Sequence, residues 1–294
     1  MATRSLLTTT APEAQPEVRI LTPEDVPRLR LDAGLRIGDA TVRRLLAAYP
    51  GRSVWIPDTL EYALLAPWRH REEIALVQEL DAVANAERLL VAATERCRDL
   101  GAAMILVVEM AETRRPRFYD TAGLRPLERV ATYELDAAPP IGAPRRLVFD
   151  RVGPTDHAAM ADLLRLDHGA FPWLWRNSAE EFAAYAETAG VRLFLARERG
   201  RPAAYLGVTS FPGWGHLDRI AVDPGAQGRG LGREALAFAV AALAQAGARR
   251  VALSTQETNV RSQRLYERFG FRRTPDHDYR LYGTTLDASD DEED

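Results

Sequence analysis

The chain contains no lysine: all 38 basic residues among its 294 are arginine. Chemistries that need a side-chain amine are excluded at once, among them Schiff-base and pyridoxal-phosphate catalysis, the GK[ST] phosphate loop and the strand lysine of kinases. Cysteine is nearly absent too. Cys97 stands alone, which rules out an internal disulfide and cysteine-rich zinc sites. The five histidines (His70, His157, His168, His216, His277) lack the HExxH spacing of a helical zinc site, so no metal is expected. No apolar run approaches the roughly 20 residues of a membrane span, and the first 16 residues hold no long apolar core of a secretion signal. The expectation is a cytoplasmic protein with no membrane partner. Nor is there a basic excess. The net charge of -4 rests on Asp287, Asp290, Asp291, Glu292, Glu293 and Asp294, and without them 36 acids face 38 bases. Such a near-neutral body is no footprint of a nucleic-acid binder.

What is present, 46% hydrophobic and 27% charged residues, suits a soluble globular protein with one large or two ordinary domains. The segment Ala137-Ala138-Pro139-Pro140-Ile141-Gly142-Ala143-Pro144 reads as a linker between halves of similar size. A faint repeat relates them. Gly101, an apolar strand, then Tyr119, Gly123 and Leu124 answer Gly247, a strand, then Tyr266, Gly270 and Phe271, which reads as a duplicated domain. The second half is predicted as a strand from Leu147 and a helix over 155–166. A proline-broken aromatic loop around Phe171, Trp173 and Trp175 follows, then a short helix opened by the capping box Ser178/Glu181 and running through Tyr185. A hairpin at 199–202 and a strand over 216–222 lead to a helix over 231–246, a strand over 251–254, a helix over 260–269 and a closing strand pair. The order βααβββαβαβ is that of a mixed α/β domain.

The stretch Ile220-Ala221-Val222-Asp223-Pro224-Gly225-Ala226-Gln227-Gly228-Arg229-Gly230-Leu231-Gly232 carries the chemical signal. A strand ends, a glycine-rich turn follows and an amphipathic helix starts. Amides at such a helix start have no internal partner and face the positive end of the helix dipole, an anion site suited to phosphate. Arg229 and Arg233 can add charge-assisted hydrogen bonds. A dinucleotide fingerprint would need glycine at Arg233 and an early βαβ position, and a phosphate loop needs lysine. The spacing of Gln227, Gly230 and Gly232 resembles the [RQ]xxGx[GA] acetyl-CoA signature of the GCN5-related N-acetyltransferases (GNAT), and Asn259, Ser262, Leu265, Tyr266, Gly270 and Phe271 match that family's second helix motif. The resemblance spans about 135 residues, from Leu147 to the strands around Tyr282.

The resemblance implies acetyl-CoA as acyl donor. It implies backbone of Ile220 and Val222 along the pantetheine arm, amides of Gly228, Arg229, Gly230, Leu231 and Gly232 on the pyrophosphate, and Asn259 and Ser262 near the arm or the adenosine. His216 lies where the family commonly places its base, with Asp218 two residues on. Tyr266 matches the family's acid. Phe171, Trp173, Trp175 and Tyr185 are candidates for the acceptor wall. The first half reads as a degenerate copy, with Asp81, Ala84 and Ala86 where Gln227, Gly230 and Gly232 stand, and Glu112 and Arg115 for Asn259 and Ser262. The expected organisation is therefore a disordered tail (1–17), a degenerate GNAT-like domain (18–136), a linker (137–145), a catalytic GNAT domain (146–284) and an acidic tail (285–294). Two tandem GNAT-like domains, each a mixed, mostly antiparallel sheet flanked by helices, resemble the architecture of mycothiol synthases, and the lysine-free, arginine-rich composition suits a high-GC bacterium. The implied activity is acetyl transfer to a primary amine of a small-molecule or peptide acceptor, by a monomer or homodimer with no nucleic-acid partner. The alternative is a non-catalytic acyl-CoA-binding module with the degenerate half as an interaction surface.

Overall fold

The computed structural model describes residues 16–29, 38–110, 116–136 and 145–286; the expected linker core, Glu112, Arg115 and the acidic tail from Asp287 onward lie outside them. The first half runs β1 (Arg19–Ile20), α1 (Asp39–Ala48), β2 (Val54–Ile56), β3 (Glu61–Trp68), β4 (Arg71–Asp81), α2 (Ala86–Asp99), β5 (Met104–Glu109), α3 (Pro116–Asp120) and β6 (Arg125–Leu135). The second runs β7 (Leu147–Val152), α4 (His157–Ala170), α5 (Ala179–Glu187), β8 (Val191–Glu198), β9 (Arg201–Phe211), β10 (Trp214–Val222), α6 (Leu231–Gln245), β11 (Arg250–Gln256), α7 (Val260–Phe269), β12 (Arg272–Arg273) and β13 (Tyr279–Thr285). The fold extends to Leu286, which is buried in the first half's core, past the boundary expected at 284.

The strands form one open, mostly antiparallel sheet in the order β1-β2-β3-β4-β5-β13-β6-β11-β10-β9-β8-β7, with β12 beside β6. Its parallel pairs are β4 with β5 and β10 with β11, the same place in each half. Each half supplies a mixed, mostly antiparallel sheet, as expected, and the two are joined into one because the halves exchange their last strands. β13 of the second half lies beside β5 of the first, and β6 of the first lies beside β11 of the second, Val251 opposite Leu135 through Gln256 opposite Val130. β6 and β13 also pair with each other.

Helices cover both faces. In the second half α6 buries Leu231, Ala235, Leu236, Ala239, Val240 and Leu243 on one face, the stripe that its spacing predicts. On the other face α4 and α5 close over Leu193, Leu195, Tyr205 and Ala221. Ser178 caps α5 by accepting from the Glu181 amide at 3.0 Å, as expected. The reciprocal half of the capping box does not form, because the Glu181 carboxylate is turned to His70 of the first half, 2.7 Å away. A smaller cluster joins the halves: Val130, Trp175 and Leu281, with Trp68, Phe171, Leu174 and Tyr279 packed against them.

Candidate active site

The site begins where two parallel strands part. β10 and β11 pair from Trp214 opposite Arg250 to Leu217 opposite Leu253, then diverge. Beyond that point Ile220, Ala221 and Val222 still pair with β9 on one edge, so their other edge opens on a cleft of about 560 Å³. Asp218 is the extra residue of a β-bulge, since Leu217 faces Val208 and Arg219 faces Gly207; such a bulge re-aims side chains beside a site.

At the outer end of the cleft, eight residues (223–230) link β10 to α6. Gly228 and Gly230 have φ of +80° and +85°, a left-handed conformation costly for other residues. No carbonyl or side chain accepts from the amides of residues 228–232 among the described residues. Five free amides at the start of a 15-residue helix are fit to take the pyrophosphate of a coenzyme A thioester. Ile220, Val222, Gln227, Gly228, Gly230, Gly232, Asn259 and Ser262 all line the cleft. Leu231 does not, being buried in the core, and Arg229 is turned away to Glu198 at 2.9 Å. The cationic lining comes instead from Arg233 and Arg261, the latter hydrogen-bonded to Gln227. Asn259 caps α7, its Oδ1 accepting from the Ser262 amide at 3.2 Å.

Tyr266 stands at the base of the cleft, 4% exposed. Burial pushes its hydroxyl up to about 12, against the opposing pull of the Ser262 hydroxyl. Next to it a smaller cavity of about 90 Å³ is walled by Asp218, Arg219, Ser254, Phe171, Trp175 and, from the first half, Arg69. Asp218 accepts from three donors: Tyr185, Thr209 at 2.7 Å and His216 Nδ1 at 2.8 Å. His216 is outside the wall itself, on the paired stretch opposite Ala252, and its Nε2 has no partner among the described residues. Burial, then the Asp218 charge, hold the Tyr185 hydroxyl well above the usual phenol range.

Of the four aromatics expected to form an acceptor wall, Phe171 and Trp175 line the cavity, and Tyr185 donates a hydrogen bond to Asp218 on that wall. Trp173 is 42% exposed and stacks under the Arg71 guanidinium at 4.4 Å. The aromatic loop is held by a buried network that sequence reading missed. Asp167 on α4 pairs with Arg219 and accepts from Tyr205 and the Asn177 amide at 2.9 Å. Arg219 in turn donates to the Trp175 carbonyl at 2.9 Å and lies 3.8 Å over the Phe171 ring.

The corresponding place in the first half is filled from within. β4 and α2 are joined by only four residues (82–85), and the Glu61 carboxylate accepts from the amides of Val83 at 2.6 Å and Ala84 at 2.7 Å. It also accepts from the Asn85 amide and side chain. Burial would raise this carboxyl, but these donors outweigh it and hold it at about 2. Tyr119, the counterpart of Tyr266, is buried, donates to Glu109 and stacks on Tyr282 at 4.0 Å.

A central pair of parallel strands that part beside a glycine-rich helix start defines the class of acyl-CoA-dependent acetyltransferases of the GNAT fold. The sequence model of the acetyltransferase (GNAT) family matches residues 158–271. A mycothiol acetyltransferase of Mycobacterium leprae is 32% identical over 228 residues, 64% of this chain and 71% of that protein. Another, of Mycobacteroides abscessus, is 35% identical over 134 residues, 41% and 43% of the two chains. The chain belongs to the GNAT family and is an acetyltransferase. The fold is shared with a GCN5-related N-acetyltransferase of Sphaerobacter thermophilus, TM-score 0.60 and 18% identity over 92% of this chain and 95% of that one. It is shared also with a tandem GNAT protein from the clavulanic acid biosynthesis pathway, TM-score 0.60 and 16% identity over 94% and 100%. Among the described residues no helix is long and apolar enough to cross a membrane.

Proposed function

We propose that the chain transfers acetyl from acetyl-CoA to a primary amine of a small-molecule or peptide acceptor, by direct attack within a ternary complex at the second-half site. The observation that carries this reading is the parting of β10 and β11, with free strand backbone along it, free helix-start amides at its outer end and a buried tyrosine at its base. The relatives' name, mycothiol acetyltransferase, supports a small-molecule acceptor. Acetyl-CoA supplies the thioester; the remaining roles fall to side chains of this chain.

An alkyl amine near pKa 10.4 is only about one part in 10³ neutral at pH 7, a penalty of about 4 kcal/mol. The His216–Asp218 pair is suited to relieve it. Asp218 already accepts from three donors, and imidazole is the side chain ordinarily suited to take such a proton. Asp218 then fixes the ring with Nε2 free. At the other end a thiolate of pKa about 8.5 departs. A full proton transfer from Tyr266, at about 12, is uphill by about 5 kcal/mol, so Tyr266 stabilises the sulfur by hydrogen bonding rather than by giving up its proton.

The test is thiol release from acetyl-CoA across a panel of primary amines. Amine-dependent release that falls in His216→Ala supports the reading. Acetyl-CoA binding without release across the panel overturns it in favour of a binding module.

A further inference from the structure

The hairpin joining β3 and β4 is a two-residue turn, since Trp68 pairs with Arg71. Both turn residues, Arg69 and His70, have positive φ, 54° and 53°. A turn of this type favours Asn-Gly, and two side-chain-bearing residues hold it at a cost. What holds them is the second half. Trp68 Nε1 donates to the Leu174 carbonyl at 2.7 Å and Arg69 Nη1 to Asn177 Oδ1 at 2.7 Å. His70 meets Glu181, and Arg71 Nη1 donates to the Trp173 carbonyl at 2.5 Å. Four consecutive side chains thus bind the aromatic loop and the start of α5.

One of them reaches the reaction cavity. The Arg69 guanidinium is buried between the Trp68 and Trp175 rings, 5.0 and 5.4 Å from their centroids. No carboxylate lies within ion-pair distance of it among the described residues, and its Nε has no hydrogen-bond partner. Trp175 Nε1, on the wall of the same cavity, has none either. Two buried donors without acceptors around one small space are costly unless a ligand supplies the acceptor. Burial, then the neighbouring Arg219 charge, pull Arg69 down to about 10, as a cation lacking its counter-ion requires. Asp218 stands on the wall of the same cavity.

We propose that Arg69, delivered by the otherwise degenerate half, together with Trp175 Nε1 binds a carboxylate of the acceptor, so that the substrate class is small amines that also carry a carboxylate. This rests on the acetyl-transfer reading of the site. The arrangement is zwitterion-complementary: Arg69 takes the carboxylate by charge-assisted hydrogen bonds, while the amine lies toward Asp218 and His216. The cavity has room for a few water-sized groups, which suits a carboxylate close to the amine.

The experiment measures thiol release with free amino acids and the matching carboxamides as acceptors, using the full chain, Arg69→Lys and Arg69→Met. In parallel, tryptophan fluorescence is titrated with the same compounds, since Arg69 lies between two indoles. The expected result is a preference for the acid over the amide of about 10- to 10²-fold in kcat/KM, the range for a hydrogen bond to a charged group, expressed mainly in KM. Arg69→Met erases the preference by slowing the acid alone, and Arg69→Lys retains part of it. Equal rates for acid and amide in the unaltered chain, or equal losses for both in Arg69→Met, overturn the proposal without touching the acetyl-transfer reading. If no compound is acetylated, saturable quenching by acids but not amides, lost in Arg69→Met, supports the carboxylate site while the acetyl-transfer reading fails. Absence of any saturable quenching overturns the site.

Discussion

Replacing Glu61 by Gln removes a charge and keeps the shape. In the folded chain this carboxylate takes the amides of Val83, Ala84 and Asn85, which lowers it from an ordinary 4.5 to about 2. A folded-state value below the unfolded one means stability that is complete above about pH 5 and is lost as the pH falls toward 2. The full difference corresponds to about 3 kcal/mol. Partial exposure of the loop to solvent reduces this to about 1–2 kcal/mol. For a chain of this size that is a fall in Tm of about 2–3 °C at pH 7. Urea unfolding of the two proteins at pH 7, 5, 4 and 3 is the assay. The gap is expected to stay constant from pH 7 to 5 and to narrow steadily below, because Glu61 of the unfolded chain takes up a proton from about pH 4.5 downward while the folded carboxylate stays ionised, and the glutamine variant has no such equilibrium. A gap that stays the same from pH 7 to 3 would refute the idea that an ionised Glu61 replaces an external anion at this helix start.

Tyr266→Phe should lower kcat by about 10- to 10²-fold, as for loss of a hydrogen bond to the departing thiolate, with acetyl-CoA affinity by calorimetry unchanged; because burial holds this hydroxyl at about 12, its protonated form persists and causes no fall in rate up to about pH 10. Asp218→Asn should reduce kcat by about 10- to 10³-fold by releasing the His216 ring, and an unaltered kcat with every amine tested would remove the pair from the mechanism. Gly207→Ala places a methyl 2.8 Å from Tyr185 Cε1 and should cost about 1–3 kcal/mol of stability by overpacking, together with a drop in kcat that Tyr185→Phe reproduces. Residues 145–294 expressed alone lose β6 and with it buried Val130, Ala131, Tyr133 and Leu135, about 6–10 kcal/mol of apolar burial; the fragment should fail to give a cooperative melt unless residues 16–136 are supplied.

What the sequence made legible was local. The α6 start shows in Gly228, Gly230 and the helical spacing after them, and the helix expected over 260–269 forms as α7. Arg229 and Arg233 were both candidates for the anion; Glu198, 31 residues earlier than Arg229 on β8, takes Arg229, while Arg233, in the first turn of the helix, lines the cleft. That the first half lacks an anion site is an expectation set by Asp81 and its neighbours. Two features had no local signal: the loop is shorter, and its amides go to a carboxylate on β3, 22 residues before Val83. Arg69 and the Asp167–Arg219 pair had no local signal. Their partners lie 108 and 52 residues away in the chain, and a buried ion pair has the same letters as a surface one.

The strand exchange ties the half whose helix-start amides are taken by Glu61 to the half whose amides are free. β11 is one wall of the divergence that makes the cleft, and its outer edge is completed by β6 from the first half. Glu128 of that strand reaches the cleft wall. In return β13 fills the first half's sheet between β5 and β6, with Leu281 joining Trp175 and Val130 in the junction cluster. The capture of the 83–85 amides by Glu61 therefore removes none of the contacts on which the second half depends. The β3–β4 hairpin adds a constraint of its own: its strained turn is held by the loop that carries Phe171 and Trp175. Within residues 82–85 Glu61 holds the amides of Val83, Ala84 and Asn85 and the Asn85 side chain, so a substitution there that keeps Asn85 leaves β6 and the hairpin in place. The second half's site depends on the first through those two elements.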